Sequence, residues 1–168
     1  MNRKNPTTST ESAIKAHVDL PVLGWREWAS LPDLKLKRVK CKVDTGARTS
    51  ALHAFFVERI DAAGTARVRF GIRPLQRRLD IERICEADIV DERMVTDSGG
   101  HRERRIVIST PVVIGGHRWP IELTLTDRDT MRFRMLLGRT AINDRFLVNP
   151  SVSYLFGKPT RKSKRADR

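Results

Sequence analysis

Apolar and polar side chains alternate at period two in Ile121-Glu122-Leu123-Thr124-Leu125-Thr126 and again in Met131-Arg132-Phe133-Arg134-Met135. A period of two sends successive side chains to opposite faces, so these runs read as half-buried strands and not as helices. Val68, Phe70 and Ile72 alternate in the same way with Arg67, Arg69 and Gly71. Turn signals separate the runs. Gly115-Gly116 lies between Val112-Val113-Ile114 and His117-Arg118-Trp119, and two glycines supply the positive φ angles of a tight hairpin. Asp97-Ser98-Gly99-Gly100 and Asp61-Ala62-Ala63-Gly64-Thr65 mark two further turns. The one helical pattern in the body is short, Arg139 to Arg145, and there is no internal repeat. These signals predict a small all-β domain, a closed or partly open barrel with one short helix after a Leu-Leu-Gly strand.

A chain of 168 residues, 39% of them hydrophobic, has apolar material for one real core. No apolar run approaches the roughly 18 residues of a membrane span, so no membrane partner is expected. Residues 1–18 read as a polar, flexible leader without the apolar stretch of a secretory signal. Residues 19–156 form the expected folded domain, and residues 157–168 a basic flexible tail. Two cysteines, Cys41 and Cys85, cannot build a disulfide framework or a four-thiolate zinc site. Both read as buried small apolar residues, and the expected location is the cytoplasm. The net charge is +13. The tail holds six Lys/Arg against one Asp, yet the body keeps 24 basic side chains against 18 acidic ones. A positive field concentrates anionic partners without naming them.

Several chemistries lack their motifs. There is no HExxH, no GxxxxGK[ST] loop and no GxGxxG, so neither a metal nor a nucleotide cofactor is expected. His53, His101 and His117 stand far apart and read as surface or turn histidines. One stretch differs. In Lys40-Cys41-Lys42-Val43-Asp44-Thr45-Gly46-Ala47 a strand runs into Asp-Thr-Gly. A carboxylate at a strand end, a glycine that lets backbone approach it, and a threonine hydroxyl to brace the loop suit an aspartic protease. Alone, the tripeptide reads better as an Asx turn ahead of a glycine. Ninety-two residues after Thr45-adjacent Asp44 the chain reads Leu136-Leu137-Gly138-Arg139-Thr140-Ala141-Ile142, an aliphatic strand end that enters the short helix.

Together these two segments resemble retroviral-type aspartic proteases. The closer resemblance is to the bacterial RimB family. It rests on Lys42 to Ala54, Glu122 to Arg128 and Met131 to Arg139, with Leu23-Gly24-Trp25-Arg26-Glu27-Trp28 near the start and Arg145-Phe146-Leu147-Val148 near the end. It covers roughly residues 19–156. Members are retropepsin-like proteins encoded with the ATP-grasp ligase RimK. They are often labelled ATP-dependent zinc proteases, a label for which this chain has neither motif. The resemblance implies an aspartic peptidase that trims the oligoglutamate tail added by RimK to a small-subunit ribosomal protein. A RimK-type ligase is then a candidate partner.

The implied mechanism needs two carboxylates sharing one proton, because like charges about 3 Å apart cannot both ionise. The chain has one DTG. Asp127 and Asp129 read as a solvated hairpin turn, and Asp144 as a helix-end residue. The second carboxylate is therefore expected from Asp44 of another copy, in a twofold homodimer. Asp44, Thr45, Gly46 and Ala47 form the expected catalytic loop. Arg48, Arg132, Arg134 and Arg139 are the expected substrate-binding residues, since guanidinium forks bind carboxylates bidentately. Solvent-facing barrel arginines are the competing reading, and Arg139 is also placed to tie the strand end to the loop. The alternative function is a non-catalytic basic β-barrel that binds RNA or ribosomes, with the tail a candidate RNA contact. Against it, Phe55 and Phe56 are adjacent, so their rings should face opposite sides of a strand and form no stacking platform.

Overall fold

A computed structural model describes residues 19–62, 64–76, 78–96, 99–127 and 133–158. The leader, and the tail from residue 159 onward, lie outside these residues. In chain order the elements are β1 (Val22–Gly24), β2 (Arg26–Leu31), β3 (Leu36–Asp44), β4 (Ser50–His53), β5 (Phe56–Ala62), β6 (Thr65–Ile72), β7 (Arg83–Thr96), β8 (Arg102–Ile114), β9 (His117–Thr126), β10 (Met135–Gly138), helix α1 (Arg139–Ile142) and β11 (Leu147–Asn149).

The strands pair in the order β2-β3-β10-β4-β9-β8-β7-β6-β5, and β2 also pairs with β8. That last contact, Ser30 against Val113, closes the first six strands into a barrel. The remaining three continue as a flanking sheet. The all-β expectation holds, and the barrel is closed. The alternating runs supply the core: Val68, Phe70 and Ile72 of β6 in the flanking sheet, and Ile121, Leu123 and Leu125 of β9 in the barrel, are buried. They share one core with Leu31, Leu52, Ile114 and Leu137. Each such side chain contributes about 1.5–3 kcal/mol by leaving water. The Gly115-Gly116 hairpin joins β8 to β9, with Gly115 at φ +59. A second, parallel pair, β1 with β11, sets Leu23 beside Val148. Behind it the buried Glu27 carboxylate accepts from the N–H groups of Gly24 (2.8 Å), Leu155 (3.0 Å) and Phe156 (3.4 Å). It thereby ties the last described segment to the first strands.

Several local expectations need correction. His53 is 2% exposed, not a surface histidine, because β4 lies between β10 and β9 and all four of its residues are buried. His101 and His117 are exposed, as read. The alternating run 131–135 is not one strand. Phe133 and Arg134 form a bend, β10 starts only at Met135, and residues 131–132 lie outside the described residues. The Phe133 ring meets Trp25 edge-on at 5.9 Å, which draws the chain aside just before the strand. Nor is Asp127 in a hairpin turn, since β4 separates β9 from β10; Asp129 lies outside the described residues. The helix stops at Ile142, with Asn143 as its C-cap and Asp144 beyond it at φ +60. The Phe55 and Phe56 rings do touch, edge to face at 5.3 Å, because Phe55 sits in a bend before β5. Both cysteines are free and buried. Burial pushes the Cys41 thiol up to about 12 and raises Cys85, so neither offers a thiolate nucleophile.

Candidate active site

Asp44 ends β3, and Ser50 opens β4 five residues beyond the start of the loop. The two strands do not pair with each other. β10 enters between them, parallel to β3 and antiparallel to β4, with Gly138 opposite Asp44 and Leu136 opposite Ala51. The loop of residues 45–49 must therefore arch over the end of β10. That crossing explains how two motifs far apart in the sequence meet.

Gly138 has a steric reason to be glycine. A Cβ there would lie 2.6 Å from Thr49 C, 2.7 Å from Thr49 O and 2.9 Å from Ser50 N, all of them backbone atoms that cannot swing away. The Gly138 N–H donates to Ser50 Oγ at 3.0 Å. The chain then turns into α1 directly beneath the loop. There the Arg139 N–H donates to Ala47 O at 2.8 Å and the Thr140 N–H to Arg48 O at 3.1 Å. The Thr140 hydroxyl donates to the same Arg48 carbonyl at 3.0 Å. Arg139 Nη1 reaches the carbonyls of Thr45 (2.9 Å) and Gly46 (3.3 Å). Loop carbonyls that would otherwise point into solvent are thus held by one guanidinium and one helix start.

The same loop turns its N–H groups the other way. Gly46 and Ala47 donate to Asp44 Oδ1 at 3.1 and 3.2 Å. Among the described residues no donor reaches Oδ2. A Cβ on Gly46 would press on Oδ1 at 3.3 Å. The Asx-turn geometry and the protease-loop geometry are therefore one arrangement here. A carboxylate is oriented through one oxygen, and its other oxygen is left for something outside the loop. Thr45, Gly46 and Arg48 are exposed, and Asp44 and Ala47 are half-buried.

The structure thus brings Asp44, Thr45, Gly46, Ala47, Arg48 and Arg139 into one loop-and-brace unit. Thr45 contributes its carbonyl to Arg139; its hydroxyl makes no hydrogen bond among the described residues. Arg134 lies apart from this unit. Its carbonyl accepts the His53 N–H at 2.9 Å, its side chain is 9% exposed, and its buried Nε has no hydrogen-bond partner. Arg132 lies outside the described residues. Ser50 and Thr140 are supporting residues that motif reading passes over, because neither belongs to the Asp-Thr-Gly or Leu-Leu-Gly-Arg signature. Among the described residues no group of three or more His, Cys, Asp or Glu is arranged to hold a metal ion. No helix among them is long and apolar enough to cross a membrane.

A family model described as "Retropepsin-like aspartic endopeptidase RimB" matches residues 22–159. The chain belongs to the RimB-like family. The RimB-like match takes in every strand of the barrel, both halves of the loop crossing, and the β1–β11 pair. Curated relatives carry a different name. Proteins called "Probable alpha-L-glutamate ligase" are similar to this chain in Shewanella halifaxensis (41% identical over 82% of this chain) and in Parasynechococcus marenigrum (42% over 81%). This chain spans only 30% and 29% of those relatives' lengths. A crystal structure of a Legionella pneumophila protein of unknown function has the same architecture. It matches with a TM-score of 0.68 at 27% identity, over 81% of this chain and 98% of its own.

Proposed function

We propose that this RimB-like chain is an aspartic peptidase that hydrolyses acidic peptide bonds, acting on the oligoglutamate extension of a small-subunit ribosomal protein. The observation that carries the reading is the Asp44 carboxylate. One of its oxygens is fixed by the Gly46 and Ala47 N–H groups, and its loop is braced from behind by Arg139. Such a loop is preorganised, so no reorganisation is needed when charge develops during reaction.

One chain offers one such loop. The proposed enzyme is a twofold dimer in which the two Asp44 carboxylates share a proton. The protonated one polarises the scissile carbonyl, while the ionised one takes a proton from the attacking water. The exposed Thr45 hydroxyl, without a partner among the described residues, is left for the second copy. Arg139 is a positioning residue, since its guanidinium is committed to loop carbonyls. Arg48, Arg132 and Arg134 are the proposed carboxylate-binding residues.

The substrate class follows from the relatives named as glutamate ligases. This chain matches under a third of their length, and we propose that the matching part works on what a glutamate ligase makes. A RimK-type ligase is then the functional partner, in the cytoplasm. The test is hydrolysis of a ribosomal protein carrying added glutamates, read by mass spectrometry. Wild type should shorten the tail, Asp44→Asn should leave it intact while folding normally, and a chelator should not matter. A fully active Asp44→Asn protein would sink the aspartic mechanism.

A further inference from the structure

In β3 the odd-numbered residues Val39, Cys41 and Val43 are buried, while Arg38, Lys40 and Lys42 point outward in a row that ends at Asp44. β2 extends this face sideways, with Arg26 opposite Lys42 and Trp28 opposite Lys40. Four cations thus share one patch of sheet beside the candidate catalytic carboxylate. Among the described residues none of the four has an acidic partner. Most arginines of the flanking sheet, by contrast, are paired.

Aromatic rings hold two of these cations in place without neutralising them. The Arg26 guanidinium lies 4.4 Å from the Trp25 ring centre and 5.0 Å from that of Tyr154. Lys40 Nζ lies 5.1 Å from Trp28 and 5.8 Å from Tyr154. A ring face fixes a cation's position yet leaves its charge available to an incoming anion. Long basic side chains are thereby partly ordered before binding, which lowers the entropy cost of engaging a ligand.

We propose that Arg38, Lys40, Lys42 and Arg26 form a track that holds an extended polyglutamate chain and leads it to Asp44. The proposal rests on the peptidase reading and adds a substrate-binding surface beyond the loop and its arginines. Alternate residues of an extended strand recur about every 6.7 Å. An extended polyglutamate laid along β3 presents every second carboxylate at that same repeat, one for each cation of the row. The enzyme should therefore favour long acidic tails over short ones. Nucleic acid fits the face less well. Trp25, Trp28 and Tyr154 each already carry a cation over the ring, so they do not offer the open platforms on which bases stack.

The test uses Asp44→Asn protein, which binds without turnover, and a fluorescent peptide of about ten glutamates, long enough when extended to span the row. Arg38→Glu/Lys40→Glu in that background should weaken binding by about tenfold or more at low salt, with the difference shrinking as salt rises. The neutral pair Arg38→Gln/Lys40→Gln should give a smaller loss. Arg69→Glu, on the flanking sheet, should give none. Unchanged peptide binding by both double variants would overturn the track. So would tighter binding of a single-stranded oligonucleotide of equal charge that the same variants abolish. If wild type fails to hydrolyse glutamate tails while the variants still lose peptide binding, the track stands and the peptidase reading falls. If wild type hydrolyses long tails and the variants bind them normally, the track alone falls.

Discussion

The flanking sheet of β5 to β7, with the adjoining part of β8, is richer in arginine than the β2–β3 face, but most of its arginines are paired internally. Arg67 lies opposite Asp88 and pairs with it, and Arg69 pairs with Glu86 across the strand and with Glu58 on the other side. Arg59 and Arg104 share Glu92, and Arg93 bridges Asp91 and Glu122. On the β2–β3 face and the Asp44 loop, Arg26, Arg38, Lys40, Lys42 and Arg48 have no acidic partner among the described residues. The comparison separates two meanings of one composition. Cross-strand pairs of opposite charge add about 0.2–1 kcal/mol each to a sheet. A row of cations without acidic partners gains no such pairing energy and keeps its charge available to an anionic ligand. Part of the body's charge excess thus sits unpaired beside the oriented carboxylate.

Substitutions in the two regions should separate in the same way. The largest effect is expected at the loop crossing. Gly138→Ala forces a Cβ against the Thr49 and Ser50 backbone and should lower unfolding free energy by about 2–3 kcal/mol, measured by urea denaturation. Gly64→Ala, at φ +81 in open space at the flanking sheet's turn, should cost only about 1 kcal/mol. Equal costs at the two glycines would mean that the crossing is not close-packed.

Arg139→Lys comes next. Lysine keeps the charge but lacks the rigid planar guanidinium whose Nη1 holds the Thr45 and Gly46 carbonyls. We expect kcat for tail hydrolysis to fall about ten- to a hundredfold, with KM nearly unchanged and a stability loss of about 1 kcal/mol. A rise in KM at constant kcat would instead make Arg139 a substrate-binding residue.

The smallest effects belong to the paired sheet. Arg67→Ala should cost under about 1 kcal/mol and leave polyglutamate binding untouched. Acid should erode the same region. The Arg93 hydrogen bond holds the Asp91 carboxyl below its usual 3.8. A depressed carboxyl stabilises fully above its unfolded value and loses that contribution as the pH falls through the folded one. Thermal melting between pH 5 and pH 2, compared for wild type and Arg93→Ala, should converge at the acid end, by about the small energy of an exposed pair.

Much of this architecture was legible in the chain. Period-two runs give β6 and β9 because each has one face in the core, and Gly115-Gly116 gives its hairpin because a two-residue turn needs positive φ. What the sequence hides are consequences of insertion. That β10 slots between β3 and β4 buries His53 and separates β9 from β10. Neither is a local property. The candidate site was legible at the Asp44 loop and at Gly138, where a Cβ would meet backbone atoms. It was not legible at Ser50 or Thr140, where common polar residues receive their roles only from the crossing. The cation row of β3 was visible as basic residues, yet its lack of partners needed the sheet register.

The central claim is that two chains each supply one Asp44 to a single site. Wild type and Asp44→Asn protein, unfolded together, refolded at fixed total concentration and assayed on a glutamate-extended substrate, test it directly. With a shared pair of carboxylates, activity should follow the square of the wild-type fraction, falling to about a quarter in an equal mixture of random dimers. A linear fall, to about half, would mean that each chain is catalytically complete by itself and would contradict the account.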